Sequence, residues 1–234
     1  MAYSLEFTEK MRGAFAFAET DYWAGYRTGL ASPPGRGGAL MFRLTISTDD
    51  VDALIADPDH SAVAQGYVAS DVLGGRLPVQ SGLFDLFVDE GATTRHMLYR
   101  LYFSDATGRP LTLAGYKNVA HAAVTRTWAE TSTLYTRVLD GHVPVTDGGE
   151  ASTLGVVGSG VLRIRPVDFA WQLTTFRAHG PSRVGSWAAL QRFGRLFMGE
   201  LWQVFDPFRR GPGGAATATT AGRQGSSPQG PGDG

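Results

Sequence analysis

The sequence predicts a mainly β chain: an antiparallel β-barrel, lipocalin-like or similar, with one C-terminal amphipathic helix and few short helices. Three observations predict it. Apolar residues recur with a period of two over most of the chain. Glycines fall inside those runs, at Gly13, Gly66, Gly82, Gly115, Gly158 and Gly160, where bulges and barrel corners need them. The eight or so strands that result are too many for a comfortable flat sheet, and closing them removes the exposed edges.

The strands are read in order at residues 7–19, 40–46, 64–72, 83–88, 97–103, 111–119, 132–139, 153–164 and 173–178. Residues 104–110 carry Asp, Gly and Pro and make a turn, so the flanking runs form a hairpin. Pairing Phe103 with Leu111 puts Tyr99, Leu101, Leu113 and Gly115 on one face, and Arg100, Tyr102, Thr112, Ala114 and Tyr116 on the other. A slip of one residue would mix the faces. A short helix is predicted at 48–56, with Asp49 and Asp50 in its first turn and Pro58 beyond its end. A longer helix is predicted at 186–205. There Trp187, Leu190, Phe193, Phe197, Leu201 and Val204 recur at three- and four-residue spacing, and Asp206-Pro207 stops it. This helix is expected on the outer wall or as a plug for one end.

Residues 1–208 read as one domain. Residues 209–234 are Gly, Pro, Ala, Thr and Ser with almost nothing apolar, and are expected to be disordered because they cannot bury enough surface to offset chain entropy. Loops are expected at 31–38 and 146–152. A faint echo relates Leu44, Ile46, Asp50 and Val51 to Leu162, Ile164, Asp168 and Phe169. It reads as a duplicated half-barrel or as chance between two strand-turn segments.

Composition excludes several classes. Hydrophobic residues are 43% of the chain, enough for a sizeable core, and a net charge of -1 makes no electrostatic case for nucleic acid. No cysteine is present, so disulfides, thiolate metal sites and a cysteine nucleophile are out. The N-terminus lacks an apolar signal region and no run is long enough for a membrane span, so a cytoplasmic location is expected. Lys10 and Lys117 are the only lysines among many arginines, which suggests a GC-rich genome such as an actinobacterium. No phosphate-binding glycine loop or nucleophile elbow occurs, and the five histidines do not stand at metal-ligand spacing. No cofactor and no metal are therefore expected.

The candidate site residues carry competing readings. Arg100, Tyr102 and Tyr116 share one hairpin face. They either point into the barrel and orient an apolar ligand, or form the solvent face of an amphipathic hairpin. Lys117 falls on the face of Leu111 and Leu113. There it is a base, the partner of a carboxylate, or a chain that snorkels to water at the strand end. In 128–135, Glu130 reads as a general base and Tyr135 as a proton donor, or both as structural residues. Residues 19–21 read as a strand-end turn. The candidate catalytic set is thus Lys117, Glu130 and Tyr135, and the candidate ligand-binding set Arg100, Tyr102 and Tyr116.

The stretches FTEKMRGAFAFAETDY (7–22), LMFRLTISTDDVD (40–52), LGGRLPVQSGLFDLFVDEG (73–91), MLYRLYFSDATGRPLTLAGYK (97–117), STLYTRVLDGH (132–142) and LRIRPVDFAWQLTTFRAHGPS (162–182) give the chain a likeness. It resembles an uncharacterised domain that accompanies cholesterol-oxidase-like GMC oxidoreductases in multidomain bacterial proteins, some of which also carry an α/β-hydrolase domain. The chain lacks the GMC flavin-binding motif, and no catalytic residues carry over. The resemblance implies sterol, lipid or polyketide substrates and an oxidoreductase as neighbour. The expectation is a cofactor-free barrel around a hydrophobic polyketide, terpenoid or sterol-like molecule, acting as a cyclase or isomerase of natural-product biosynthesis, such as antibiotic biosynthesis. A shaped cavity can fold a flexible polyene into a reactive conformer by positioning alone. The alternative is a non-catalytic lipid-binding or docking module beside an oxidoreductase or another biosynthetic enzyme.

Overall fold

The computed structural model describes residues 2–33, 37–89, 94–120, 132–144 and 155–205. Alternating runs pair in chain order: β1 (Ser4–Phe17), β2 (Gly37–Thr48), β3 (Ser61–Ser70), β4 (Gly75–Asp89), β5 (Thr94–Ser104), β6 (Pro110–Ala120), β7 (Thr133–Asp140) and β8 (Val156–Arg163). All neighbours are antiparallel, and β8 returns to β1, with Phe15 opposite Gly160. The result is a closed eight-stranded up-and-down barrel. Residues 12–17 of β1 pair with β8, while residues 4–6 pair with a short β9 (Arg177–His179).

The strand period puts one apolar set inside. Leu40, Phe42, Leu44 and Ile46 of β2 are buried, as are Leu5, Phe7, Met11 and Phe15 of β1. The β5–β6 hairpin has the predicted register, with Phe103 opposite Leu111 and Tyr99 opposite Gly115. Its turn is held by Asp105, whose Oδ1 accepts from the Thr107 hydroxyl (2.6 Å) and from the Thr107 and Arg109 amides. These bonds, led by the Thr107 hydroxyl, hold the Asp105 carboxyl below its usual range.

Four α-helices and one 3-10 turn (Asp71–Leu73) accompany the barrel among the described residues: α1 (Tyr22–Ala31), α2 (Val51–Ala56), α3 (Pro166–Leu173) and α4 (Arg183–Phe205). The predicted short helix is α2, capped by Asp50, which accepts from the Asp52 and Ala53 amides. The predicted long helix is α4. Ala189, Phe193 and Phe197 are buried on it, whereas Trp187 remains 63% exposed. Phe193 and Phe197 stack on each other and join Phe7 and Phe176, so α4 plugs one barrel end.

Two helices depart from the sequence reading. α1 occupies residues to which the sequence reading assigns no element, just after the strand-end turn read at 19–21. Asp21 caps it by accepting from the Ala24 amide (2.6 Å), and Gly25 and Gly29 are its buried face. A side chain there would meet backbone, because a Cβ at Gly25 would lie 2.1 Å from Ser159 O and one at Gly29 2.3 Å from Phe15 O. The helix therefore lies directly on the outer wall, and its inward face carries no apolar stripe to read. The strand expected at 173–178 is corrected: α3 ends at Leu173, and only Arg177–His179 is strand. Val167, Phe169, Trp171 and Leu173 do alternate, but Pro166 at the first helical turn favours a helix start. Val167 stays 80% exposed while Gln172 is buried. The loop at 146–152 and the tail at 209–234 lie outside the described residues.

Candidate functional site

Three polar side chains meet inside the barrel. Glu9 follows Leu5 and Phe7 on the inward phase of β1, Lys117 follows Leu113 and Gly115 on β6, and Tyr99 lies between Met97 and Leu101 on β5. Their exposures are 2%, 4% and 1%. Lys117 Nζ donates to Glu9 Oε1 at 2.5 Å, and the Tyr99 hydroxyl donates to Glu9 Oε2 at 2.6 Å. Each carboxylate oxygen thus has a donor. Lys117 Nζ also lies 4.9 Å from the centre of the Tyr99 ring, within cation–π range. Phe42 and Phe84 pack on the same ring.

Burial, and then the adjoining Glu9 carboxylate, holds the Tyr99 phenol well above its ordinary pKa. Tyr99 is therefore a hydrogen-bond donor across the physiological range. Burying a charge costs several kcal/mol, which a well-placed partner and extra hydrogen bonds offset. The Lys117–Glu9 pair, with the Tyr99 donor, has that arrangement.

Lys117 is the one predicted catalytic residue placed in the interior among the described residues, and of its sequence readings the structure gives the carboxylate partner. Tyr135 lies on the outer wall, stacked on Tyr116 at 5.2 Å and edge-on to Tyr22. Glu130 lies outside the described residues. The face carrying Arg100, Tyr102 and Tyr116 also points outward, because Tyr99, Leu101 and Phe103 take the interior phase of β5. Arg100 pairs there with Asp85, which also accepts from the Ser61 hydroxyl. Tyr102 packs near His142, and Tyr116 against His96. Of the two inward readings, only that of Lys117 matches its position. Sequence reasoning missed Glu9. Its signal was a carboxylate in phase with Leu5, Phe7 and Met11. Tyr99 was assigned to the apolar face but not to a site.

Large side chains fill the described interior, among them Phe15, Phe42, Tyr99, Phe103 and Met11. At the plugged end a cavity of about 10 Å³, lined by Phe7, Ile46, Phe84 and Phe193, is near the size of one water. A hollow of about 620 Å³, open to solvent, lies beside the end of α1 between Phe17, Thr28 and Pro33. Among the described residues no three His, Asp or Glu side chains are grouped to hold a metal ion, and no helix is long and apolar enough to cross a membrane. No protein-family model, curated protein or solved structure matches the chain.

Proposed function

We propose that the barrel takes up a hydrophobic small molecule bearing a carbonyl group and converts it without a cofactor, as a cyclase or isomerase of polyketide, terpenoid or sterol-like compounds. The buried Glu9–Tyr99–Lys117 cluster carries this reading. Lys117 and Tyr99 are the donors a carbonyl oxygen needs as negative charge develops on it, and Glu9 is the acceptor for a proton beside that carbonyl. Clusters of buried titratable groups on an otherwise apolar wall are enriched at functional sites.

A second reading is a non-catalytic module that binds lipid or docks beside a GMC-type flavin oxidoreductase. The exposed Val184 and Trp187 at the start of α4 favour it.

One experiment separates them. The protein is mixed with a β,γ-unsaturated steroid ketone (androst-5-ene-3,17-dione), and conversion to the conjugated ketone is followed by ultraviolet absorbance alongside the melting temperature. The expected result is a raised melting temperature and conversion that falls about a hundredfold or more in Glu9→Gln. A raised melting temperature without conversion supports the binding module. No rise and no conversion overturns the ligand-barrel reading.

A further inference from the structure

We infer that α3 is a docking face for an anionic lipid surface. The inference is independent of the Glu9–Tyr99–Lys117 cluster and of any chemistry inside the barrel.

The helix is inside out. It reads PVDFAWQL, and its burial runs against the usual amphipathic rule. Val167 is 80% exposed, Trp171 41% and Leu173 42%, and Ala170 is exposed with them. The polar side chains take the wall side instead. Gln172 is buried, and Asp168 pairs with Arg12 of β1 at 3.5 Å. Val167, Ala170 and Trp171 stand at i, i+3 and i+4, so they form one apolar stripe turned outward. A helix that tucks its polar groups against the wall and offers its apolar ones outward presents a surface to be covered.

Charge says what covers it. Arg165 precedes the first turn of α3, and Arg177 donates from Nη1 to Thr174 O at 2.8 Å just past its end. Arg43 lies over the Trp171 ring, 5.1 Å from its centre, and Lys10 stands opposite Arg43 on β1. The three arginines are exposed. Cations thus flank the stripe at both ends and along one side. The carboxylates beside them are Asp168, held by Arg12, and Glu6, opposite Arg177 in the β1–β9 register. The net charge of -1 is a sum over the whole chain, whereas a surface responds to the local excess.

An apolar stripe with a tryptophan, ringed by arginine, matches an anionic bilayer. The indole and the aliphatic groups enter the headgroup region, and the guanidinium groups meet phosphate. A protein partner would need a carboxylate placed at each arginine. Lipids move in the plane and bring their anions to all of them. Eight residues are too few to span a bilayer, so α3 lies in its surface.

The full chain is mixed with vesicles of phosphatidylcholine, either alone or with about one third phosphatidylglycerol, and binding is measured by co-sedimentation. The expected result is binding about tenfold or more tighter on the anionic vesicles, weakened at high salt. Val167→Glu, at a position too exposed to disturb the fold, should lower that affinity about tenfold with an unchanged melting temperature. Leu30→Glu, at a 64% exposed position on α1, should leave it unchanged. With brominated lipid in the vesicles, tryptophan emission should be quenched, and less so in Trp171→Phe, which keeps an aromatic ring. Equal binding to neutral and anionic vesicles, no binding to either, or full binding by Val167→Glu overturns the inference. Self-association that Val167→Glu abolishes, without vesicle binding, overturns it in favour of a second copy as the occupant.

Discussion

Lys117 and Glu9 are 108 positions apart in the chain, and their Nζ and Oε1 atoms lie 2.5 Å apart across the barrel interior. Removing one partner leaves the other charge buried and unpaired. Lys117→Met or Glu9→Gln alone should therefore cost about 3–5 kcal/mol. Glu9→Gln keeps an acceptor for Tyr99, so the Glu9→Gln/Lys117→Met double variant should cost less than the sum of the singles by about 1–3 kcal/mol. Urea unfolding measures all three, and additive costs would show that the two groups are not coupled.

The raised Tyr99 pKa makes an alkaline prediction. In the unfolded chain the phenol ionises near pH 10, and in the fold it stays protonated to higher pH. Its contribution to stability is thus complete below about pH 10 and is lost as pH rises beyond that value towards the folded pKa. The urea midpoint of the parent should fall over this interval, and Tyr99→Phe should remove part of that fall. Parallel pH profiles for the two proteins would contradict this.

The strands were legible because their inward and outward faces differ: Phe42, Leu44 and Ile46 alternate with Arg43 and Thr45, and that pattern is what burial selects. The register of β5 on β6 followed from the same rule. Closure was less direct, since the pairing of β8 with β1 joins residues about 145 positions apart and leaves only a local trace in Gly158 and Gly160. α1 was illegible because its wall-facing side is glycine rather than an apolar stripe. Of the site, Lys117 stood out by its phase and as one of only two lysines. Its partner could not be named, because phase says which face a residue is on and not what stands across the barrel. Arg100, Tyr102 and Tyr116 shared a face as read, but the sequence pattern left open which face was inside.

The two glycine environments predict opposite signs. Gly29→Ala places a methyl group 2.3 Å from Phe15 O, so α1 must lift from the wall, at a cost of about 1–3 kcal/mol. Gly194 lies within α4 with nothing within 4 Å of an added Cβ. Gly194→Ala should stabilise by about 0.5–1 kcal/mol through the lower chain entropy of alanine. Thermal melts of the two variants check this, and shifts of the same sign would refute the contact of α1 with the wall.

The plug made by α4 sets apart two aromatic positions on one helix. Phe193 is 2% exposed and lies 6.1 Å from Phe7, 5.8 Å from Phe176 and 5.7 Å from Phe197, centre to centre. Phe193→Ala should cost about 3–5 kcal/mol, because it removes buried surface and leaves a cavity beside the small one already at that end. Trp187, six residues earlier, is 63% exposed, and Trp187→Ala should change stability by no more than about 0.5 kcal/mol. The pair also bears on the second functional reading. If α4 docks an oxidoreductase, Trp187→Ala should weaken that complex while leaving the urea midpoint unchanged. If α4 only closes the barrel, Phe193→Ala alone should matter, through stability. Equal destabilisation by both substitutions would mean that α4 sits on the barrel with a different face from the one described.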